Sequence, residues 1–222
     1  MYCLGPMIPY FNLETAKSLS TNQNNFQYFE WLDSQPPNSV LYVSLGSFLS
    51  VSGPQMDEIV DGLHLSGVRF LWVGRGDTVR LREKCGKLGK IIPWCDQLKV
   101  LSHCLVSGFW THGEWNSTIE GIFFGVPMIT LPILADQTTT SKYIYEDWQI
   151  GWDAKREMKT RGMPRSGEIS KMVKRFMDSE SDERKDMMIR ARELQKVARE
   201  AVLDGGSTRM NLDSFLDNVM RA

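Results

Sequence analysis

The chain's 222 residues suffice for one large domain or two small ones, with a substantial apolar core. Apolar residues make up 42% and charged residues 24%, an ordinary globular balance. The formal net charge of −1 leaves no basic footprint for nucleic acid or an anionic membrane surface. No apolar run approaches the roughly 20 residues that span a bilayer, and residues 1–6 lack the charged start and apolar core of a secretory signal, so a cytoplasmic location is expected.

Residues 1–39 read as an irregular lead-in: Gly5-Pro6 and Pro9, a polar stretch from Ser18 to Asn25, then a short aromatic segment (Phe26, Tyr28, Phe29, Trp31, Leu32) closed by Pro36-Pro37. Val40–Leu45 is a β-rich apolar run stopped by Gly46-Ser47 and predicts a buried strand. A helix follows from about Pro54, with Met56, Ile59, Val60 and Leu63 on one face. Arg69–Val73 predicts a second strand, then a polar, Gly-bearing loop, then a short strand at Lys90–Ile92.

The alternation continues with a helix at Asp96–Ser102, a strand at Leu105–Thr111 and a helix at Trp115–Phe124 closed by Gly125. A strand at Pro127–Leu131, a helix at Gln137–Trp148 and a last strand at Ile150–Ala154 complete it. This rhythm predicts an α/β fold, a parallel Rossmann-like sheet with helices on both faces. Past Ser166 three apolar stripes predict three helices: Ile169 to Met177, Met187 to Ala201, and Leu212 to Val219. Gly205-Gly206 ends the second, and Ser207 or Thr208 can cap the third. The organisation expected is a lead-in over 1–39, a nucleotide-binding domain over 40–205 and a C-terminal helix over 206–222.

Cys3, Cys85, Cys95 and Cys104 fall at no metal-ligand spacing and are not grouped with the three histidines. Buried reduced thiols are expected, and neither a metal centre nor a cofactor.

In doubly wound sheets, ligands sit beyond the carboxyl ends of the strands, beside helix N-termini. Two such ends carry chemistry here: Gly46-Ser47-Phe48, and the run from Thr111 through His112, Gly113, Glu114, Trp115, Asn116 and Ser117 to Thr118. The second reads either as an anion-binding helix start with a neighbouring imidazole or as a capped helix with a boundary histidine. The first strand is not followed by GxGxxG, which argues against a dinucleotide-binding module. Trp94 by itself reads as a core tryptophan, whereas a solvated helix-face reading of Glu120 sits badly with its place between Ile119 and Gly121-Ile122-Phe123.

The residues Trp94-Cys-Asp-Gln97, His103, Gly108-Phe-Trp-Thr-His112, Trp115-Asn-Ser-Thr-Ile-Glu120, Gly125-Val-Pro127 and Ala135-Asp-Gln137 together resemble the signature box of plant UDP-glycosyltransferases of secondary metabolism. Trp94 to Gln137 also has that box's length, 44 residues. The first strand and the ending Gly205–Asp213 resemble the family as well, most nearly its group 87A.

The resemblance implies the C-terminal domain of a two-domain GT-B enzyme that binds a UDP-sugar, with no further cofactor. Trp94 would stack on uracil. Cys95, through its backbone, and Gln97 would meet the base edge and the ribose, and Glu120 would accept from ribose hydroxyls. Ser47, His112, Asn116 and Ser117 would hold the diphosphate, Trp115 would lie against the sugar, and Asp136 and Gln137 would bind its hydroxyls. A Gln closing the box favours UDP-glucose. The implied reaction is inverting transfer of the hexose to a hydroxyl of a small plant metabolite. His64 and His103 are expected to be structural.

Two departures from the pattern matter. Glu114 stands where the family has Gly. A carboxylate about 5 Å from a phosphate charge costs roughly 3 kcal/mol at an effective dielectric near 20, more than the roughly 0.3–2 kcal/mol a helix start returns. If Glu114 points inward, donor binding is expected to be weakened; if it points to solvent, the effect is small. The family is also about twice as long, and the implied catalytic His and its supporting Asp belong to an N-terminal acceptor domain. No catalytic residue is therefore expected among residues 1–222, and a non-catalytic UDP-sugar-binding fragment is the alternative. Self-association is expected through apolar surface left at Leu212–Val219 and at Phe26–Trp31.

Overall fold

The computed structural model describes residues 2–6, 8, 26–46, 52–74, 79–160, 162 and 164–220. Six strands, β1 (Val40–Ser44), β2 (Arg69–Val73), β3 (Gly89–Ile92), β4 (Val106–Thr111), β5 (Met128–Thr130) and β6 (Gly151–Asp153), form one sheet in the order β3-β2-β1-β4-β5-β6. Every pairing is parallel. Chain direction across the sheet therefore reverses between β1 and β4, the switch point at which such sheets bind ligands.

Strand side chains alternate between two cores. Leu41, Val43, Phe70, Trp72 and Trp110 pack on one face with α2 (Gly53–Ser66), α3 (Val79–Lys84) and α8 (Ser166–Phe176). Val40, Tyr42, Leu71 and Phe109 pack on the other with α1 (Phe26–Asp33), α4 (Gln97–Leu101), α5 (Trp115–Phe123) and α9 (Asp182–Val202). With both faces covered, the strands read as continuous apolar runs. Each fully buried Leu, Ile, Val or Phe contributes about 1.5–3 kcal/mol against the chain entropy lost on folding.

The expected alternation is present, with three differences. The aromatic lead-in forms α1, and its Tyr28 and Leu32 are buried in the second core. The polar loop after β2 contains the short helix α3, which buries only Leu81 and is tied to α2 by Arg80–Asp57 at 2.8 Å and Lys84–Asp61 at 2.9 Å. One buried side chain leaves no periodicity to detect. Finally, the helix expected over Gln137–Trp148 is α6 (Ala135–Lys142) followed by a π-helical turn (Tyr143–Asp147), closed by Trp148 N donating to Tyr143 O at 2.8 Å. Stacking of Tyr143 on Trp148 accompanies that wider turn.

After β6 comes the single turn α7 (Ala154–Glu157), with Asp153 accepting from Arg156 N at its start. α8 follows α2, where Ser166 N donates to Glu58 at 2.6 Å, and α9 crosses α5, with Gln195 and Arg199 donating to Phe123 O. α10 (Ser207–Met220) meets the start of the chain through Thr208 to Gly5 O, Asn211 to Cys3 O and a Tyr2–Phe215 edge contact. Leu216 and Val219 on α10 remain exposed. Among the described residues, no helix is long and apolar enough to cross a membrane. The thiols divide: Cys85 and Cys95 are buried, whereas Cys3 and Cys104 are exposed, against the expectation that all four are buried. Both exposed cysteines flank irregular chain, where no periodic face draws a small apolar residue inward.

Candidate functional site

A cavity of about 220 Å³ opens at the switch point. The end of β1 contributes Tyr42, Ser44 and Gly46, the end of β4 contributes His112 and Glu114, and the segment entering α4 contributes Trp94, Cys95 and Gln97. Ser117, from the first turn of α5, closes it.

Two glycines make this convergence possible. Gly46 has a φ of +95°, and a Cβ there would lie 3.0 Å from His112 Nε2, so only glycine lets the chain leave β1 directly over the imidazole. Gly113, with a φ of +86°, turns the chain from β4 into α5. A Cβ on it would also approach Gln137 O to 3.4 Å, which places the start of α6 against this turn.

Trp94 is 58% exposed, so its ring is a free platform at the cavity and not a core side chain. Behind it runs a hydrogen-bonded chain. The Tyr42 hydroxyl lies 3.3 Å from Cys95 Sγ and donates to Gln97 Oε1 at 3.0 Å. Gln97 Nε2 in turn donates to Glu120 Oε2 at 2.5 Å and to Ser117 Oγ at 3.2 Å. Burial pushes the Cys95 thiol up to about 12, so it is a neutral thiol turned toward Tyr42. Burial also raises the Glu120 carboxyl, opposed by the Gln97 hydrogen bond and reinforced by Asp96 and Glu114. Glu120 is thus no solvated surface charge; it faces the site through Gln97.

The anion end is built on α5. Glu114 occupies its N-cap but makes no side-chain cap bond, leaving the first-turn amides without a side-chain acceptor. The Glu114 carboxylate turns instead to His112, 2.9 Å from Nε2. It therefore points inward and lines the cavity, although 54% of the side chain is exposed. On the other side of the ring, Nδ1 lies 3.5 Å from Thr111 Oγ1. Among the described residues, no Lys or Arg lines this cavity.

The remaining expected residues lie around it. Asn116 is exposed on the first turn of α5, and Trp115, 51% exposed, leans on Trp148 with ring centres 6.4 Å apart. Asp136 is exposed on the first turn of α6. Gln137 is buried, and its Oε1 accepts from Ile133 N at 2.8 Å and Leu134 N at 3.0 Å, so that oxygen fixes the loop into α6. Ser47 lies outside the described residues. His103 pairs with Asp33 at 3.1 Å, far from the cavity lining. Among the described residues, no group of three His, Cys, Asp or Glu could hold a metal ion.

Sequence reasoning missed Tyr42, Ser44 and Val73 as lining residues. The available signal was a hydroxyl-bearing ring at an inward position of an otherwise aliphatic strand, since a buried phenol needs a partner.

Comparison with known proteins agrees with this geometry. The profile of the family described as UDP-glucoronosyl and UDP-glucosyl transferase matches residues 7–190. UDP-glycosyltransferase 87A2 of Arabidopsis thaliana is 48% identical over 220 residues, covering 99% of this chain and 48% of the relative. UDP-glycosyltransferase 79 of rice is 37% identical, covering 96% and 47%. The chain spans about half the length of the curated relatives it matches.

Among solved structures, rice Os79 in complex with UDP superposes with a TM-score of 0.85 at 35% identity, covering 98% of this chain and 50% of that one. Medicago truncatula UGT71G1 complexed with UDP-glucose gives 0.80 at 30% identity, covering 98% and 48%. Matching in sequence over 99% of its length and in fold to plant UDP-glycosyltransferases, with Trp94, Cys95, Gln97, His112 and Ser117 of the box lining the switch-point cavity, the chain belongs to the plant UDP-glycosyltransferases.

Proposed function

We propose that this chain forms the donor-binding half of an inverting UDP-glycosyltransferase that moves a hexose, glucose by preference, to a hydroxyl of a small plant metabolite. The observation that carries this reading is the free Trp94 ring beside the Tyr42–Gln97–Glu120 hydrogen-bonded chain at the switch point. An aromatic face suits any nucleobase, and a carboxylate reached through a fixed amide suits vicinal hydroxyls. Uracil stacks on Trp94, the ribose reaches toward Gln97 and Glu120, and the diphosphate lies at the start of α5 beside His112. The sugar then extends toward Trp115, Asp136 and Gln137.

As the bond to the anomeric carbon breaks, charge collects on the departing diphosphate, where the α5 amides and the imidazole stabilise it. The acceptor and the base that deprotonates it come from the half of the relatives' length that this chain does not span. UDP complexes of Os79 and the UDP-glucose complex of UGT71G1 support the donor class.

A glucose-transfer assay with UDP-glucose and a panel of phenolic acceptors, run beside UDP calorimetry on the same protein, tests the reading. Turnover lost in Gln137→Ala supports a self-sufficient enzyme. Retained UDP binding without turnover supports a donor-binding unit, a reading favoured by the inward carboxylate of Glu114. Failure to bind UDP at millimolar concentration overturns both.

A further inference from the structure

A second cavity, of about 320 Å³, lies at the opposite end of β1 and β4, lined by Asn38 just before β1 and Ser107 near the start of β4. Its volume falls within the roughly 300–1,000 Å³ of small-ligand sites. The feature that sets it apart is Arg184, on the first turn of α9, which is only 6% exposed. One guanidinium nitrogen donates to Ser107 O, another rests 4.0 Å from Met187 Sδ, and the group lies 4.6 Å from the centre of the Phe176 ring. None of these partners carries a negative charge. Burial alone lowers the Arg184 guanidinium to about 10.

Buried cations ordinarily sit against a carboxylate, because a carbonyl and a ring face return only part of the hydration lost. Here the unmatched charge is reinforced. Lys185 and Arg192 line the same cavity, and among the described residues no acidic side chain does. Lys185 is partly engaged, donating to Glu180 O at 2.8 Å and lying 3.9 Å from Asp182. Met177, Met188 and Ile189 supply an apolar wall.

We propose that this cavity binds a small organic anion with a short apolar body, such as an alkyl or aryl carboxylate. The carboxylate meets the planar donor fork of Arg184, with Arg192 and Lys185 at the rim, and the tail lies along Met177, Met188 and Ile189. A fork that already spends one nitrogen on Ser107 O still has donors to present. Because the strands are parallel, this cavity and the one at Trp94 lie at opposite ends of β1 and β4, so the two ligands bind without competing.

Calorimetry on the intact chain with octanoate, octan-1-ol and inorganic phosphate tests this. Octanoate is expected to bind at submillimolar concentration, octan-1-ol and phosphate at least about tenfold more weakly, and saturating UDP to leave octanoate binding unchanged. The surface double variant Lys185→Gln/Arg192→Gln, which leaves the Arg184 anchor in place, is expected to weaken octanoate about fivefold. Arg184→Met, checked for folding by circular dichroism, is expected to abolish it. Equal binding of octanoate and octan-1-ol, an unaffected double variant, or no octanoate heat up to about 10 mM would each overturn the proposal. Arg184 would then be only a peg holding α9 to β4.

Discussion

The two cavities at the ends of β1 and β4 invert a simple expectation about charge. The one proposed for a nucleoside diphosphate has, among the described residues, no Lys or Arg in its lining and carries the Glu114 carboxylate. The one at the far end gathers Arg184, Lys185 and Arg192 and, among the described residues, no acid. If the proposed donor binds here, the contrast means that its recognition rests on oriented dipoles and a ring face, the amides of α5, the imidazole of His112 and the Trp94 platform. Such groups act through geometry and tolerate a negative local field. The far cavity depends on net charge instead.

The largest effect expected from breaking this contrast is at the platform. Trp94→Ala should weaken UDP binding by about 1–3 kcal/mol, tenfold or more, with almost no change in Tm, because the ring is 58% exposed. Calorimetry and a melting curve on one preparation check both halves; a variant that binds UDP normally removes the stacking role.

Glu114→Gln should act in the opposite direction and tighten UDP. The full Coulomb cost of roughly 3 kcal/mol near 5 Å is reduced by the 54% exposure of the side chain. About 1 kcal/mol, a fivefold gain, is the expected outcome. An unchanged or weaker UDP affinity, for Gln or for Gly at this position, would show that the carboxylate swings clear when the diphosphate arrives.

Salt sharpens the comparison further. Screening should leave UDP binding unchanged or slightly tighter between low and about 0.5 M NaCl, and should weaken octanoate at the far cavity severalfold over the same range. Parallel loss at both sites would mean that unseen cations serve the donor cavity.

The smallest effect concerns stability. The Glu120 carboxyl is raised by burial above its ordinary 4.5, so ionising it costs the folded state more than the unfolded one. That cost is absent below pH 4.5, where the carboxyl is neutral in both states, and appears as pH rises through the elevated folded value. Glu120→Gln should therefore raise Tm slightly at pH 7 while weakening UDP, and the Tm gain should fade toward pH 4. A gain that grows on acidification contradicts the burial argument.

Much of the fold was legible because its signals are local. Val40–Ser44, Arg69–Val73 and Val106–Thr111 are apolar runs bounded by breakers, and a strand buried on both faces needs nothing else to be recognised. Where the sequence misled, the cause lies in contacts made at a distance. α3 docks by burying Leu81 in the first core, with part-exposed ion pairs to α2 beside it, and α1 is buried because Tyr28 and Leu32 find the second face of the sheet. The switch from α6 to a π-helical turn accompanies a ring stack on Trp148.

The residues of the proposed donor site came from the resemblance of Trp94 to Gln137 to the family's box, and the parallel sheet brings Trp94, Cys95, Gln97, His112 and Ser117 to one cavity beyond the strand ends. Their orientation did not come from it. Which way Glu114 turns, whether Trp94 is platform or core, and where the oxygen of Gln137 is spent all depend on neighbours many residues away. Arg184 marks the limit most clearly. In sequence it is one cation in a mixed-charge helix, and only the packing of α9 over β4 makes it a buried charge with no counterion among the described residues.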